Sequence, residues 1–182
     1  MRISHPLLAS LLVFAHACTP EPSPAPEPRA TAAAIASVNA AASLNRIDTR
    51  TPVPLLPMMA NHQKQNMRDH LVAVQQIVAA LASGDLVGVE RAAERIGLSE
   101  PMGQMCNHMG AGAPGFTEQA LDFHRRADRI ALAARQKDQQ QVLTELGTTL
   151  QACTECHATW KQQVVDEETW QRLTASMPQQ PH

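Results

Sequence analysis

The chain has 182 residues, 44% of them hydrophobic and 18% charged, with a formal net charge of -2. That length suits one domain with appendages, and the composition excludes a collagenous, wholly disordered or strongly basic nucleic-acid-binding protein. Aromatics make up 3%, with no Tyr; this leans toward helices and leaves room for a large apolar group where aromatic rings usually pack.

The front of the chain reads as an address. One Arg (Arg2) precedes the apolar run Leu7–Phe14, and Ala15-His16-Ala17 is a small-x-small cleavage site. The run is too short to span a bilayer, which takes about 20 residues, and fits an export signal over residues 1–17. Cys18 follows at once, then prolines at 20, 22, 24, 26 and 28. Alternating Pro cannot form a helix interior and makes a stiff spacer. A cysteine at the cut followed by a tether resembles a bacterial lipoprotein, which implies a lipid on Cys18 and a periplasmic protein anchored to a cell-envelope membrane. Cutting of the same bond by an ordinary signal peptidase is the alternative, because Ala15 and His16 depart from the usual lipobox. Residues 18–57 read as a Pro/Ala-rich linker ending at Thr51-Pro52-Val53-Pro54-Leu55-Leu56-Pro57.

Four helices are predicted over 58–165. The first runs from about Met58 to Ala82, with Met67, Leu71, Val74, Val78 and Leu81 at three- and four-residue spacing. Ser83-Gly84-Asp85 stops it and caps a second, Leu86 to Ile96. Leu98 to Gly115, rich in Gly, reads as a loop. Thr117 caps a third helix to about Gln136, with Ala120, Phe123, Ala127, Ile130 and Ala134 inward. Asp138 caps a fourth to about Val165. With no strand signal, this predicts an all-α antiparallel four-helix bundle, followed by a tail over 166–182.

The fourth helix carries Cys153-Thr154-Glu155-Cys156-His157. This C-x-x-C-H spacing reads as a c-type haem attachment site. Cysteines three apart share a helix face, so both thiols reach the two vinyl groups of one macrocycle. His157 follows on that face and can ligate the iron. At about 100° per residue, Val142, Leu146, Thr149, Leu150, Cys153, Cys156, His157, Trp160 and Val164 fall within an arc of about 120°, which predicts a motif in the middle of a buried stripe. A thioredoxin-like pair wants a strand–helix context, and a zinc site wants two more ligands; neither is visible.

A C-x-x-C-H near the end of the last of four helices, with the ending Cys156-His157-Ala158-Thr159-Trp160-Lys161, resembles the cytochrome c prime family of class II c-type cytochromes and its low-spin relatives. The resemblance implies one covalent haem c on Cys153 and Cys156 near the C-terminal helix, and His157 as proximal iron ligand. The family's first-helix stretch is similar to Gln63-Lys64-Gln65-Asn66-Met67, which implies Met67 as distal ligand. Helical phase agrees, since Ala60, Leu71, Val74 and Val78 fall within about 40° of Met67. His70 or an open site are the alternatives, and His62 is expected in solvent. The implied function is single-electron transfer between redox partner proteins, not enzymatic catalysis. Gas binding (NO or CO) at a displaceable distal position is the alternative. Homodimers, common among such relatives, are a further implication.

Other readings are plainer. Cys106 is expected as a small buried residue, with metal ligation alongside His108 or a disulfide to Cys18 as alternatives. His124 is expected at the surface or core edge. Lys161 reads either as a propionate partner or as a solvated side chain. Gly147 reads as a point of close approach or as a tolerated cost.

Overall fold

The computed structural model describes residues 40, 42–44 and 46–175. The chain divides into two compact units at Ile47/Asp48. The first is described only at a few helical residues, and the export-signal segment and Cys18 lie outside the described part. The second runs β1 (Thr51–Leu55), α1 (Pro57–Ala82), α2 (Leu86–Glu94), α3 (Glu100–Gly110), α4 (Phe116–Arg135), α5 (Gln139–Thr159), β2 (Trp160–Val164) and α6 (Glu167–Ala175). It is mostly helical, with one small parallel two-stranded sheet. No helix among the described residues is long and apolar enough to cross a membrane.

The long helices follow from local chemistry. Pro57 stands in the first turn of α1, where its missing N–H costs nothing. Asp85 and Asp138 cap α2 and α5 by accepting from the N–H of Gly88 and Gln141 at 2.8 and 2.9 Å. Thr117 does not cap α4. That cap is Gly115, at φ 89, a conformation that favours glycine, and the Thr117 hydroxyl instead donates to the carbonyl of Cys106.

Four differences from the sequence reading stand out. The Leu98–Gly115 stretch is not all loop, because Ser99 accepts from the Met102 N–H and starts α3, with Pro101 in its first turn. Thr51–Leu55, read as the end of a linker, is a strand with Val53 and Leu55 fully buried. The fourth predicted helix ends at Thr159 rather than Val165, and Trp160–Val164 turns extended to pair with β1 in parallel, Thr51 opposite Trp160 and Leu55 opposite Val164. Residues of the tail form α6.

The closely packed helix pairs are α4–α5, α2–α4 and α1–α2. Their core is built of small residues around a few branched ones: Ala73 and Ile77 from α1, Val89 and Ala93 from α2, Ala127 and Ile130 from α4, and Val142 and Leu146 from α5. Alanine at the crossings lets the helices approach closely. Each fully buried Ile contributes on the order of 1.5–3 kcal/mol. A second cluster sits where the strands are: Val53, Leu55, Met59, Ala60, Met109, Ala113 and Phe116, with Trp160 and Trp170 against it.

Candidate haem-attachment site

Along α5 the threonine hydroxyls are satisfied by the helix's own carbonyls. Thr149, Thr154 and Thr159 donate to the carbonyls of Glu145, Gln151 and Glu155 at 2.8–2.9 Å. The buried stripe of α5 is Val142, Leu146, Thr149 and Ala152. By angle the two cysteines fall within that stripe, as expected, but they lie near the end of the helix where it is less covered. Cys153 and Cys156 are half-buried, and His157 is exposed.

The two thiols meet different parts of the core. Cys153 packs against the cluster shared by the long helices, and Cys156 against the strand-side cluster. Both are free. Burial, with a smaller contribution from Cys153, pushes the Cys156 thiol up to about 11, and burial raises Cys153 as well. The imidazole of His157 stands beside them at the solvent edge.

Beyond the motif the chain is pinned. Trp160 packs edge-on to Phe116, ring centroids 5.7 Å apart, and its indole N–H donates to Gln119 at 2.7 Å. Arg50 donates from Nη1 to the main-chain oxygens of His157 and Trp160 at 3.2 and 3.4 Å. Lys161 donates to the carbonyl of Asp48 at 2.6 Å, so it is not simply solvated. Gln162 donates from Nε2 to the Ala60 carbonyl at 3.2 Å and to the buried Gln63 side chain at 2.5 Å. The stretch Gln63–Met67 therefore lies on the helix that faces the segment just past His157. Arg50, Asp48 and Gln162 carry no motif in the sequence; only the fold brings them here.

Met67 is not at the centre of the buried stripe. Met59, Ala60, Gln63, Ala73, Ile77 and Leu81 form that stripe, while Met67 is 39% and Leu71 69% exposed. The apolar residues around Met67 make a shoulder beside it, as Leu143 and Leu150 do on α5. α1 and α5 are not among the closely packed helix pairs. Two free, half-buried thiols one turn apart with an imidazole one residue on have the donor set and spacing that thioether attachment of a flat apolar macrocycle would use.

The remaining sequence candidates fall elsewhere. His70 stacks on Phe123 at 4.7 Å and meets His124 edge-on at 5.3 Å. Burial, then the neighbouring His124, pushes its pKa down to about 4. His124 is buried, deeper than the surface or core-edge place expected for it, with Nδ1 donating to the Ile96 carbonyl at 2.8 Å. Cys106 is buried in α3, its thiol pushed up to about 11 by burial. His108 is exposed and lies 5.4 Å from the Trp170 ring. Among the described residues no group of three or more His, Cys, Asp or Glu is placed to hold a metal ion. Gly147 approaches nothing: a Cβ there would meet no atom within 4 Å. Compared with known protein families, curated proteins and solved structures, the chain matches none.

Proposed function

We propose that the protein is an exported, lipid-anchored monohaem c-type cytochrome of the four-helix-bundle kind, and that it carries single electrons rather than catalysing a bond change. The observation that carries this reading is the trio on α5: two free, half-buried thiols one turn apart and an exposed imidazole one residue on, at the shoulder of an apolar core. Cys153 and Cys156 would hold the haem covalently, His157 would ligate its iron, and Met67 would be the distal ligand. The haem supplies the reversible ferric–ferrous couple; the protein supplies burial, ligands and a docking surface. A Met/His pair raises the potential relative to two histidines. Redox proteins at the membrane are the partners, reached from an anchor on Cys18, and a homodimer fits the same reading.

The thiols act first by shape. Cys153 faces one apolar cluster and Cys156 the other, so a ring joined to both would be seated across the junction. The test is an optical spectrum of protein matured in a haem-attaching periplasm, oxidised and reduced, with intact mass measured on the same sample. A mass increment of one haem and a low-spin spectrum are expected. Met67→Ala should convert the iron to high spin and open it to CO. An unaltered spectrum removes Met67 from the iron, and a chain without added mass removes the haem.

One observation favours a second reading, gas binding at the distal position. Met67 is part-exposed and stands outside the buried stripe, so it is held less tightly than a residue of the stripe. Ready CO binding by the unsubstituted ferrous protein selects this reading over electron transfer.

A further inference from the structure

Arg50 stands outside every motif, yet its side chain ends at the residue that the proposed reading makes the iron ligand. Its Nε and Nη2 donate to the Asp48 carboxylate at 3.0 and 2.8 Å, and its own N–H donates there at 3.1 Å. This grip leaves Nη1 free to reach across to α5, where it donates to the carbonyls of His157 and Trp160. The last carbonyls of a helix have no partner within the helix and form the negative end of its dipole. One guanidinium therefore covers that end at the ligand residue itself.

The strap that carries Arg50 is fixed in height. Thr51, the next residue, pairs with Trp160, and the strand runs on to a fully buried Leu55. Lys161 ties down the Asp48 carbonyl from the other side. The Arg50 hydrogen bond holds the Asp48 carboxyl low, at about 2, so the pair stays ionised across ordinary pH. His157 is exposed. Its main chain belongs to the last turn of α5, and Arg50 adds a hydrogen bond to its carbonyl there.

We infer that Arg50 is a positioning residue for the proximal ligand, and that the Asp48–Arg50 pair sets the electrostatic potential at the end of α5 and with it the reduction potential of the bound iron. The inference rests on the reading of Cys153, Cys156 and His157 as the haem site. Ferric iron carries one more positive charge than ferrous, so charge beside the ligand biases the couple. Arg50→Ala leaves the Asp48 carboxylate and the helix-end carbonyls uncompensated and favours ferric iron. Asp48→Asn leaves the guanidinium on the carbonyls with its charge unopposed and favours ferrous iron.

The opposite signs make the test. Loss of an ion pair that only stabilises the fold moves both variants the same way or neither. Midpoint potentials are measured by spectroelectrochemistry at low ionic strength on the holoproteins, each checked for haem by mass. Because the pair is partly solvated, we expect shifts of about threefold to tenfold in the ferric/ferrous ratio, shrinking with added salt. Arg50→Lys, which keeps the charge without the two-armed fork, should restore the ratio only in part. Haem-loaded variants that agree with the unsubstituted protein within twofold, or that shift in the same direction, overturn the inference alone. An unsubstituted chain that carries no haem overturns the reading beneath it as well. If Arg50→Ala fails to fold, the ferrous-favouring shift of Asp48→Asn decides the matter, and its absence counts against Arg50.

Discussion

At the scale of single residues, the histidines divide by what surrounds them. His157 is exposed, whereas His70 stacks on Phe123 and meets His124 edge-on, with its pKa at about 4 against 6.5 in a free chain. The unfolded chain therefore takes up the proton first as pH falls. Stability is unaffected above about 6.5, is lost as pH drops toward 4, and levels off once the folded side chain also protonates. At pH 4.5 the loss is on the order of 2–3 kcal/mol. His124 is depressed in the same direction by its own burial. Urea midpoints at pH 7 and pH 4.5 should show a smaller pH difference in His70→Leu than in the unsubstituted chain. The paired carboxylates, Asp48 among them, titrate alike in both. An equal pH difference in the two chains would mean that His70 is not buried as a neutral ring.

At the scale of elements, the glycines test how each helix is packed. Gly147 on α5 meets open space, so Gly147→Ala should stabilise by about 1 kcal/mol through propensity alone. Gly110, at the end of α3, is the reverse: an added Cβ would lie 2.1 Å from the Thr117 hydroxyl and 3.1 Å from its N–H. That substitution should destabilise, because the Thr117–Cys106 contact joining α3 to α4 must break. Thermal melts of the two variants should move in opposite directions; a lower melting temperature for Gly147→Ala would place an unseen neighbour on that face of α5. The same contrast explains what could be read in advance. α1, α2, α4 and α5 were legible from their three-and-four spacing and from Asp85 and Asp138. α3 was hidden because its glycines outweighed a real start signal at Ser99 and Pro101. The strands were hidden because Pro52 and Pro54 mark a linker in most contexts. A strand paired on one side can leave its missing N–H groups facing away from the partner. The motif itself was fully legible, but its burial was not, since Leu150 and His157 share the phase of Leu146 without sharing its neighbours.

At the scale of the whole molecule, the site is closed by a contact between distant parts of the chain. Arg50 and His157 are 107 residues apart in sequence, and β1 pairs with β2, the segment that follows α5 directly. Bringing such separated segments together costs loop-closure entropy that local helix formation does not. The strap supplies Val53 and Leu55 to the strand-side cluster against which Cys156 packs. In the folded chain the Cys156 thiol is held at about 11. Its thiolate fraction near pH 8 is then on the order of 100-fold below that of a solvent-exposed cysteine, and thiolate is the reactive form. Alkylation of the folded, haem-free chain with iodoacetamide at pH 8 should be slower by about that factor at Cys156 than in urea. Leu55→Ala, which opens the cluster at a cost of about 2–5 kcal/mol, should recover much of the lost rate. Equal rates in buffer and in urea would show that the strap does not shield the thiol. A slow folded rate that Leu55→Ala relieves shows that the strand-side cluster, and not the helix alone, keeps the Cys156 thiol from reacting.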